Sequence, residues 1–88
     1  MKSKTVILFS APWCRSCDAM KPLFKQECEK LNVEYEIIDV ESDEGVDLST
    51  EYKVRNIPTL IFLDNDNKVI GRASGSLAYQ EIEKYTNK

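Results

Sequence analysis

Histidine is absent from this chain of 88 residues, and long apolar runs are absent as well. Without an imidazole, the chain can form neither a Ser-His-Asp triad, nor a Cys-His nucleophile pair, nor a His-ligated zinc site. The first apolar run, Val6 to Phe9, holds only four residues, which is too short for a signal-peptide core or a membrane span. We therefore expect no association with a membrane and a location in the cytoplasm.

Basic residues are in the minority, with 12 Lys and Arg against 15 Asp and Glu and a formal net charge of −3. An acidic chain is a poor candidate for nucleic-acid binding, because such binding depends on neutralising phosphates. Apolar residues make up 42% of the sequence, which is ordinary for a globular protein. The length predicts a single domain over residues 1–88 and a monomer.

Cysteine occurs only three times, as Cys14, Cys17 and Cys28. A secreted domain held together by disulfides would carry a denser and even-numbered set. The sequence therefore indicates a reducing compartment, in which a close cysteine pair is more often catalytic or metal-binding than structural.

The apolar pattern predicts secondary-structure elements in the order βαβαββα. The predicted strands are Thr5–Phe9, Glu34–Val40, Thr59–Leu63 and Lys68–Ala73. The predicted helices are Cys14–Leu31, a short one capped by Asp43 or Asp47 that reaches Tyr52, and a final one capped by Ser76. A strand, a helical crossover and a second strand form a right-handed parallel unit, and the late hairpin adds antiparallel strands. The fold class is therefore α/β, with a four-stranded mixed sheet and three flanking helices.

Helical spacing also predicts which side chains face inward. In the first helix these are Ala19, Met20, Leu23, Phe24, Cys28 and Leu31, and in the last helix Leu77, Ile82 and Tyr85. Pro22 lies inside the first helix, so we expect one kinked helix there rather than two elements.

The segment that indicates chemistry is Ala-Pro-Trp-Cys-Arg-Ser-Cys, residues 11–17, at the junction of a buried strand and a helix. Two residues between cysteines on a first helical turn bring both sulfurs to one side. Cys14 faces unpaired backbone N–H groups and the positive end of the helix dipole, and Arg15 adds a cation. We therefore expect the pKa of Cys14 to lie below that of a free cysteine. Because the thiolate attacks in thiol–disulfide exchange, Cys14 is placed as a redox nucleophile, with Cys17 as the resolving thiol.

Metal binding is the main alternative for these cysteines. A closed zinc site needs four ligands, and beyond Cys14 and Cys17 the chain offers only Cys28 and carboxylates, whereas a Cu(I) ion on two thiolates stays open. Cys28 lies about three helical turns beyond Cys17, too far to bridge to it, and its spacing predicts a core position. We expect a redox pair, no metal, and a buried Cys28.

Residues 11–17, followed about forty residues later by Asn-Ile-Pro-Thr at 56–59, resemble the thioredoxin family. The resemblance covers essentially the whole chain. It includes Pro22, where thioredoxins carry a kinking proline, and Gly75, where they have a glycine near the active site. It implies a minimal thioredoxin fold in which the redox-active disulfide Cys14–Cys17 takes the place of any cofactor.

The same resemblance implies roles for residues outside the cysteine pair. Pro58 would be a cis-proline opposite the sulfurs, and the backbone of Ile57 would pair with an extended substrate strand. Trp13, Ile57, Pro58 and Gly75 would form an apolar platform that binds substrate.

Four features depart from the family's pattern. The chain starts directly at the strand before the motif, as glutaredoxins do. The intervening dipeptide, Arg15-Ser16, tunes thiolate stability and is not Gly-Pro, so the reduction potential does not transfer. Leu8 stands where the family has a buried Asp, so we expect the resolving step either to be slower or to pass the proton of Cys17 to water or a surface carboxylate. Asp18 stands in place of a Lys.

Acidic residues are concentrated between Leu31 and Tyr52, where no Lys or Arg occurs. They are Glu34, Glu36, Asp39, Glu41, Asp43, Glu44, Asp47 and Glu51. We favour a solvated face, and the alternative is a surface that steers basic partners such as a cognate reductase.

The sequence therefore predicts a thiol–disulfide oxidoreductase that reduces disulfide-containing proteins and receives electrons from a thiol reductase or glutathione. One alternative is a glutathione-dependent, glutaredoxin-like reductase. Another is a binding module that uses the thioredoxin fold without catalysis.

Overall fold

The computed structural model describes residues 5–86. Its strands are β1 (Thr5–Ser10), β2 (Glu34–Asp39), β3 (Thr59–Leu63) and β4 (Val69–Ser74). Its helices are α1 (Arg15–Lys30), α2 (Asp43–Glu51) and α3 (Ile82–Thr86), the last preceded by a 3₁₀ turn over Ala78–Glu81. The predicted order βαβαββα is confirmed.

The four strands form one mixed sheet in the order β2-β1-β3-β4. β1 runs parallel to β2, with Ser10 opposite Asp39, and antiparallel to β3, with Phe9 opposite Thr59. β4 pairs antiparallel with β3 and forms one edge of the sheet. The α/β class and the four-stranded mixed sheet with three helices are therefore confirmed.

Both faces of the sheet are covered, because the two inner strands are apolar on both sides. On one face, Leu8, Leu60 and Phe62 pack with Phe24 of α1 and Ile82 of α3. On the other face, a second cluster of strand residues packs against α2; it comprises Ile7, Phe9, Ile38, Ile61 and Leu63. The carboxyl end of β1 therefore emerges between two packed layers.

The inward face predicted for α1 is too broad. The helix is one element through Pro22, and it buries only Cys17, Met20, Phe24 and Cys28. These four residues follow one another at intervals of three or four positions and form a narrow stripe that packs on the sheet. Ala19 and Leu23 lie outside this stripe, so Ala19 faces solvent and Leu23 is 42% exposed.

Two predicted caps are wrong. α2 is capped by Ser42, whose hydroxyl accepts the Gly45 N–H at 2.9 Å, instead of by Asp43 or Asp47. Ser76 caps no helix, because the chain turns at Gly75, which has φ +98°, and the Ala78 N–H bonds back to the Gly75 carbonyl at 3.0 Å.

The same turn changes the inward set of the last helix. Ala78 takes the buried position and Leu77 points outward, 61% exposed. Of the three residues predicted to face inward there, Ile82 is fully buried and Tyr85 is partly buried in the same cluster. Within residues 5–86, no helix has the length and apolar character needed to cross a bilayer.

Candidate active site

Cys14 lies where β1 gives way to α1. The Cys14 N–H bonds to the Ala11 carbonyl at 3.1 Å, which closes a tight turn after the strand. Cys14 is the N-cap of α1, and its sulfur accepts the backbone N–H of Cys17 at 3.1 Å. A sulfur in this position meets the positive end of the helix dipole, so the site stabilises a thiolate more than a thiol.

Cys14 and Cys17 are joined by a disulfide, with their Cα atoms 5.2 Å apart. Cys17 is fully buried, whereas Cys14 is 7% exposed. Cys14 is therefore the more accessible of the two cysteines, and a partner arriving from solvent meets it first.

The loop before β3 faces this disulfide. The Ile57–Pro58 peptide bond is cis, as the resemblance implied. Ile57 is partly buried against the cluster formed by Ala11, Cys14 and Cys17. The Pro58 carbonyl accepts the Gly75 N–H at 3.0 Å, so Gly75 joins this loop through the backbone.

Trp13 is 66% exposed and is held at one edge of the site. Its indole Nε1 donates to Glu41 Oε2 at 2.6 Å. Together with Val40, Val54 and Ile57, Trp13 lines a groove of about 190 Å³, which we call the Trp13 groove.

Sequence reasoning missed both Glu41 and Val40 at this site. Val40 packs against the cysteine cluster beside Ile57. The signal was present in the predicted topology. Because β1 and β2 are parallel, the residues that follow each strand meet at the same edge of the sheet, which brings residues 40–41 next to residues 11–13.

Charged groups near the disulfide lie at the surface. Arg15 and Ser16 are exposed on the first turn of α1. Asp18, also exposed, pairs with Lys21 at 3.4 Å.

No buried carboxylate lies near the disulfide among the described residues. Leu8 is fully buried, and the only buried acid in the described chain is Asp64, in the turn between β3 and β4 at the other end of β3.

The third cysteine takes no part in the site. Cys28 is fully buried under the sheet, and burial, with added repulsion from Glu27 and Glu29, raises its pKa to about 12. Its predicted core position is confirmed. Across residues 5–86, no group of three or more Cys, Asp or Glu side chains is arranged to hold a metal ion.

The acidic residues of β2 and α2 are exposed without exception. This exposure is what a solvated face requires, and a surface that steers basic partners requires it equally.

Comparison with known proteins agrees with this geometry. The family model described as Thioredoxin matches residues 1–88. The thioredoxin of Mycoplasmoides gallisepticum is 30% identical over 81 residues, which cover 92% of this chain and 79% of that protein. An M-type chloroplast thioredoxin of Spinacia oleracea is 30% identical over 80 residues, but the chain spans only 44% of its length. The X-ray structure of Fasciola hepatica thioredoxin superposes with a TM-score of 0.82 at 27% identity and covers 97% of this chain and 84% of that one.

A helix capped by one cysteine of a Cys-x-x-Cys disulfide, facing a cis-proline loop, defines the described domain as a thiol–disulfide oxidoreductase. The family model and the relatives identify which family of such proteins it is. The chain belongs to the thioredoxin family.

Proposed function

We propose that this chain reduces disulfide bonds in protein substrates through a Cys14–Cys17 dithiol/disulfide cycle. The observation that supports this most strongly is the position of Cys14, at the N-cap of α1 and hydrogen-bonded to the Cys17 N–H. A thiolate there is stabilised without any nearby base, which suits a chain that has no histidine.

In the proposed reaction, the Cys14 thiolate attacks one sulfur of the substrate disulfide. A bond forms between the Cys14 sulfur and that sulfur, the substrate S–S bond breaks, and the other substrate sulfur leaves as a thiolate that takes a proton from water. Cys17 then loses its proton and attacks the Cys14 sulfur. The Cys14–Cys17 bond forms, the mixed S–S bond between Cys14 and the substrate breaks, and the second substrate sulfur leaves as a thiolate that takes a proton from water. Two electrons pass from the protein to the substrate, and no cofactor is needed.

Loss of the Cys17 proton is the step that this site supports least. Leu8 offers no carboxylate, and the only buried acid in the part of the chain described here lies at the far end of β3. We propose that water entering beside Cys14 accepts this proton, which makes the resolving step sensitive to pH.

We propose that substrate lies across Trp13, Ile57, Pro58 and Gly75, with the Ile57 backbone pairing with an extended segment. Arg15 and Ser16, exposed beside the reactive sulfur, would set the stability of the thiolate. A thiol reductase or glutathione would return the electrons. A cytoplasmic monomer is the proposed setting, since reduction of substrates needs a reducing compartment.

Insulin reduction with dithiothreitol as donor tests the proposal. Cys14→Ser should abolish turnover, and Cys17→Ser should accumulate mixed disulfides visible by mass spectrometry. Cys28→Ala serves as the control, because it removes the one thiol that lies outside the site, and it should turn over insulin. Turnover by Cys14→Ser at the parent's rate would overturn the proposal.

A further inference from the structure

A second concave surface lies beside the Trp13 groove, between the carboxyl end of α2 and the edge strand β4. Its volume is about 200 Å³. The side chains that give it its character are three cations, Lys53, Arg55 and Arg72, and three neutral polar residues, Asn56, Thr59 and Ser74. We call it the cationic pocket.

The charge of this pocket is not neutralised by the protein. In the described chain the ion pairs are Lys21–Asp18 and Lys84–Glu81, and neither involves a cation of the pocket. All three of those cations are exposed, in a protein whose net charge is −3. Three unpaired cations around one concavity create a local positive potential in an otherwise acidic protein.

The side chain of Arg72 is held by hydrogen bonds to backbone carbonyls. Its guanidinium donates to the Tyr52 carbonyl at 2.6 Å and to the Lys53 carbonyl at 3.4 Å, at the carboxyl end of α2. A guanidinium has five N–H donors, so these two contacts orient the group and leave donors for a ligand. The Thr59 hydroxyl donates to the Asn56 carbonyl at 2.5 Å and accepts from the Ser74 hydroxyl at 3.3 Å, so these two side chains line the pocket while their protons are used within the protein.

The cationic pocket is continuous with the active site. Val54 and Arg55 line both this pocket and the Trp13 groove. Ile57, which lines the groove, packs against the cluster that holds both cysteines. An extended segment that crosses the groove from the reactive sulfur therefore reaches Val54 and Arg55, which are also the border of the cationic pocket.

We infer that the cationic pocket binds a carboxylate of the disulfide substrate, so that the enzyme prefers disulfides with Asp or Glu a few residues away. This inference rests on the proposed function, because it names a preference of the same reaction. A carboxylate fits better than other anions, since it is the anion that a protein segment in the groove carries and it matches the planar guanidinium donors of Arg55 and Arg72.

The test uses peptides of one sequence with a single internal disulfide, flanked on one side by Asp, Asn or Lys. The reduced protein is mixed with excess peptide, and the single-turnover rate is measured by acid quench and mass spectrometry. This format needs no electron donor. We expect the Asp peptide to react about fivefold faster than the Asn peptide at low salt, which is the modest effect of exposed ion pairs, and the ratio to fall as added salt screens the charges.

Variants then locate the effect. Lys53→Gln with Arg55→Gln should bring the Asp-to-Asn ratio close to one while leaving the Arg72 contacts to α2 in place. Lys25→Gln with Lys30→Gln is the matched control, because it removes the same charge from exposed positions on α1, on the opposite face of the sheet, and it should keep the ratio. Arg72→Gln is a second pocket variant and should also lower the ratio.

The outcomes separate the two claims. If none of the peptides is reduced, the proposed function is wrong. If all are reduced but the Asp and Asn peptides react at equal rates, or the Lys peptide reacts fastest, the reductase stands and the carboxylate pocket is refuted. A ratio lowered equally by the α1 control would show a general charge effect and would also refute it.

Discussion

The thiol of Cys28 should be unreactive toward alkylating reagents in the reduced protein, and the size of this protection follows from its burial in α1. Its side chain is 0% exposed, and burial, with the charges of Glu27 and Glu29, raises its pKa from 9.0 to about 12. Each pKa unit is a factor of ten in thiolate, so at pH 8 folding lowers the Cys28 thiolate population about a thousandfold. Since alkylation requires the thiolate, iodoacetamide should modify Cys14 and leave Cys28 intact.

The assay is a timed alkylation of the reduced, desalted protein, followed by peptide mapping in a mass spectrometer. A parallel sample in guanidinium chloride supplies the unfolded rate for Cys28, against which native protection is measured. If Cys28 in the native protein is modified within about tenfold of that unfolded rate, the burial argument is wrong. If iodoacetamide does not modify Cys14 in the same native sample, the N-cap position does not stabilise its thiolate.

The raised pKa of Cys28 also predicts a change in stability at high pH. Below pH 9 the thiol is protonated in both states, and from pH 9 to about 12 only the unfolded chain loses the proton. The contribution of Cys28 to the free energy of unfolding is therefore present below pH 9 and is lost as the pH rises, by about 1.4 kcal/mol per unit. Urea unfolding at pH 8 and pH 10 should show this extra loss relative to Cys28→Ala, and equal losses would refute it.

Three further predictions concern the scaffold. Phe24→Ala removes a fully buried ring and should lower the free energy of unfolding by about 3–5 kcal/mol in urea titration. Gly71→Ala places a methyl group against the ring of Tyr85 and should destabilise by about 1–3 kcal/mol, an effect that Tyr85→Ala should relieve. The Asp64 carboxylate accepts backbone N–H groups, that of Lys68 first, which lowers its pKa below 3.8. Its stabilisation is therefore present above that pH and lost as the pH falls through the lowered value, so Asp64→Asn should flatten the acid limb of a stability profile.

The sequence predicted the parts of the site that lie close together along the chain. Cys14 and Cys17 share one helical turn, so their roles followed from local geometry. The inner strands were predicted because an unbroken apolar run fits a strand buried on both faces. The cis bond before Pro58 came from the family resemblance, because an isolated Ile-Pro pair does not specify its isomer.

The parts that failed depend on where the chain turns in space. Leu77 has the spacing of an inward residue, but the left-handed backbone of Gly75 shifts the start of the last helix and turns it outward. The cationic pocket joins Lys53 to Arg72, which are 19 positions apart in the sequence. They meet only because β4 pairs with β3 beside the end of α2, and no local pattern indicates that meeting.

The N-cap of α1 is one of the two cysteines of the redox-active disulfide. A Cys14 thiolate in the reduced protein places an anion at the amino end of a helix of 16 residues, whereas the sulfur in the disulfide is neutral. Oxidation therefore removes a charge from the helix terminus, and reduction restores it. By reciprocity, whatever makes that terminus more attractive to an anion stabilises the reduced protein by the same free energy. The first turn of α1 therefore contributes to the reduction potential of the disulfide, and every residue of that turn helps to set how readily the reduced protein gives up electrons.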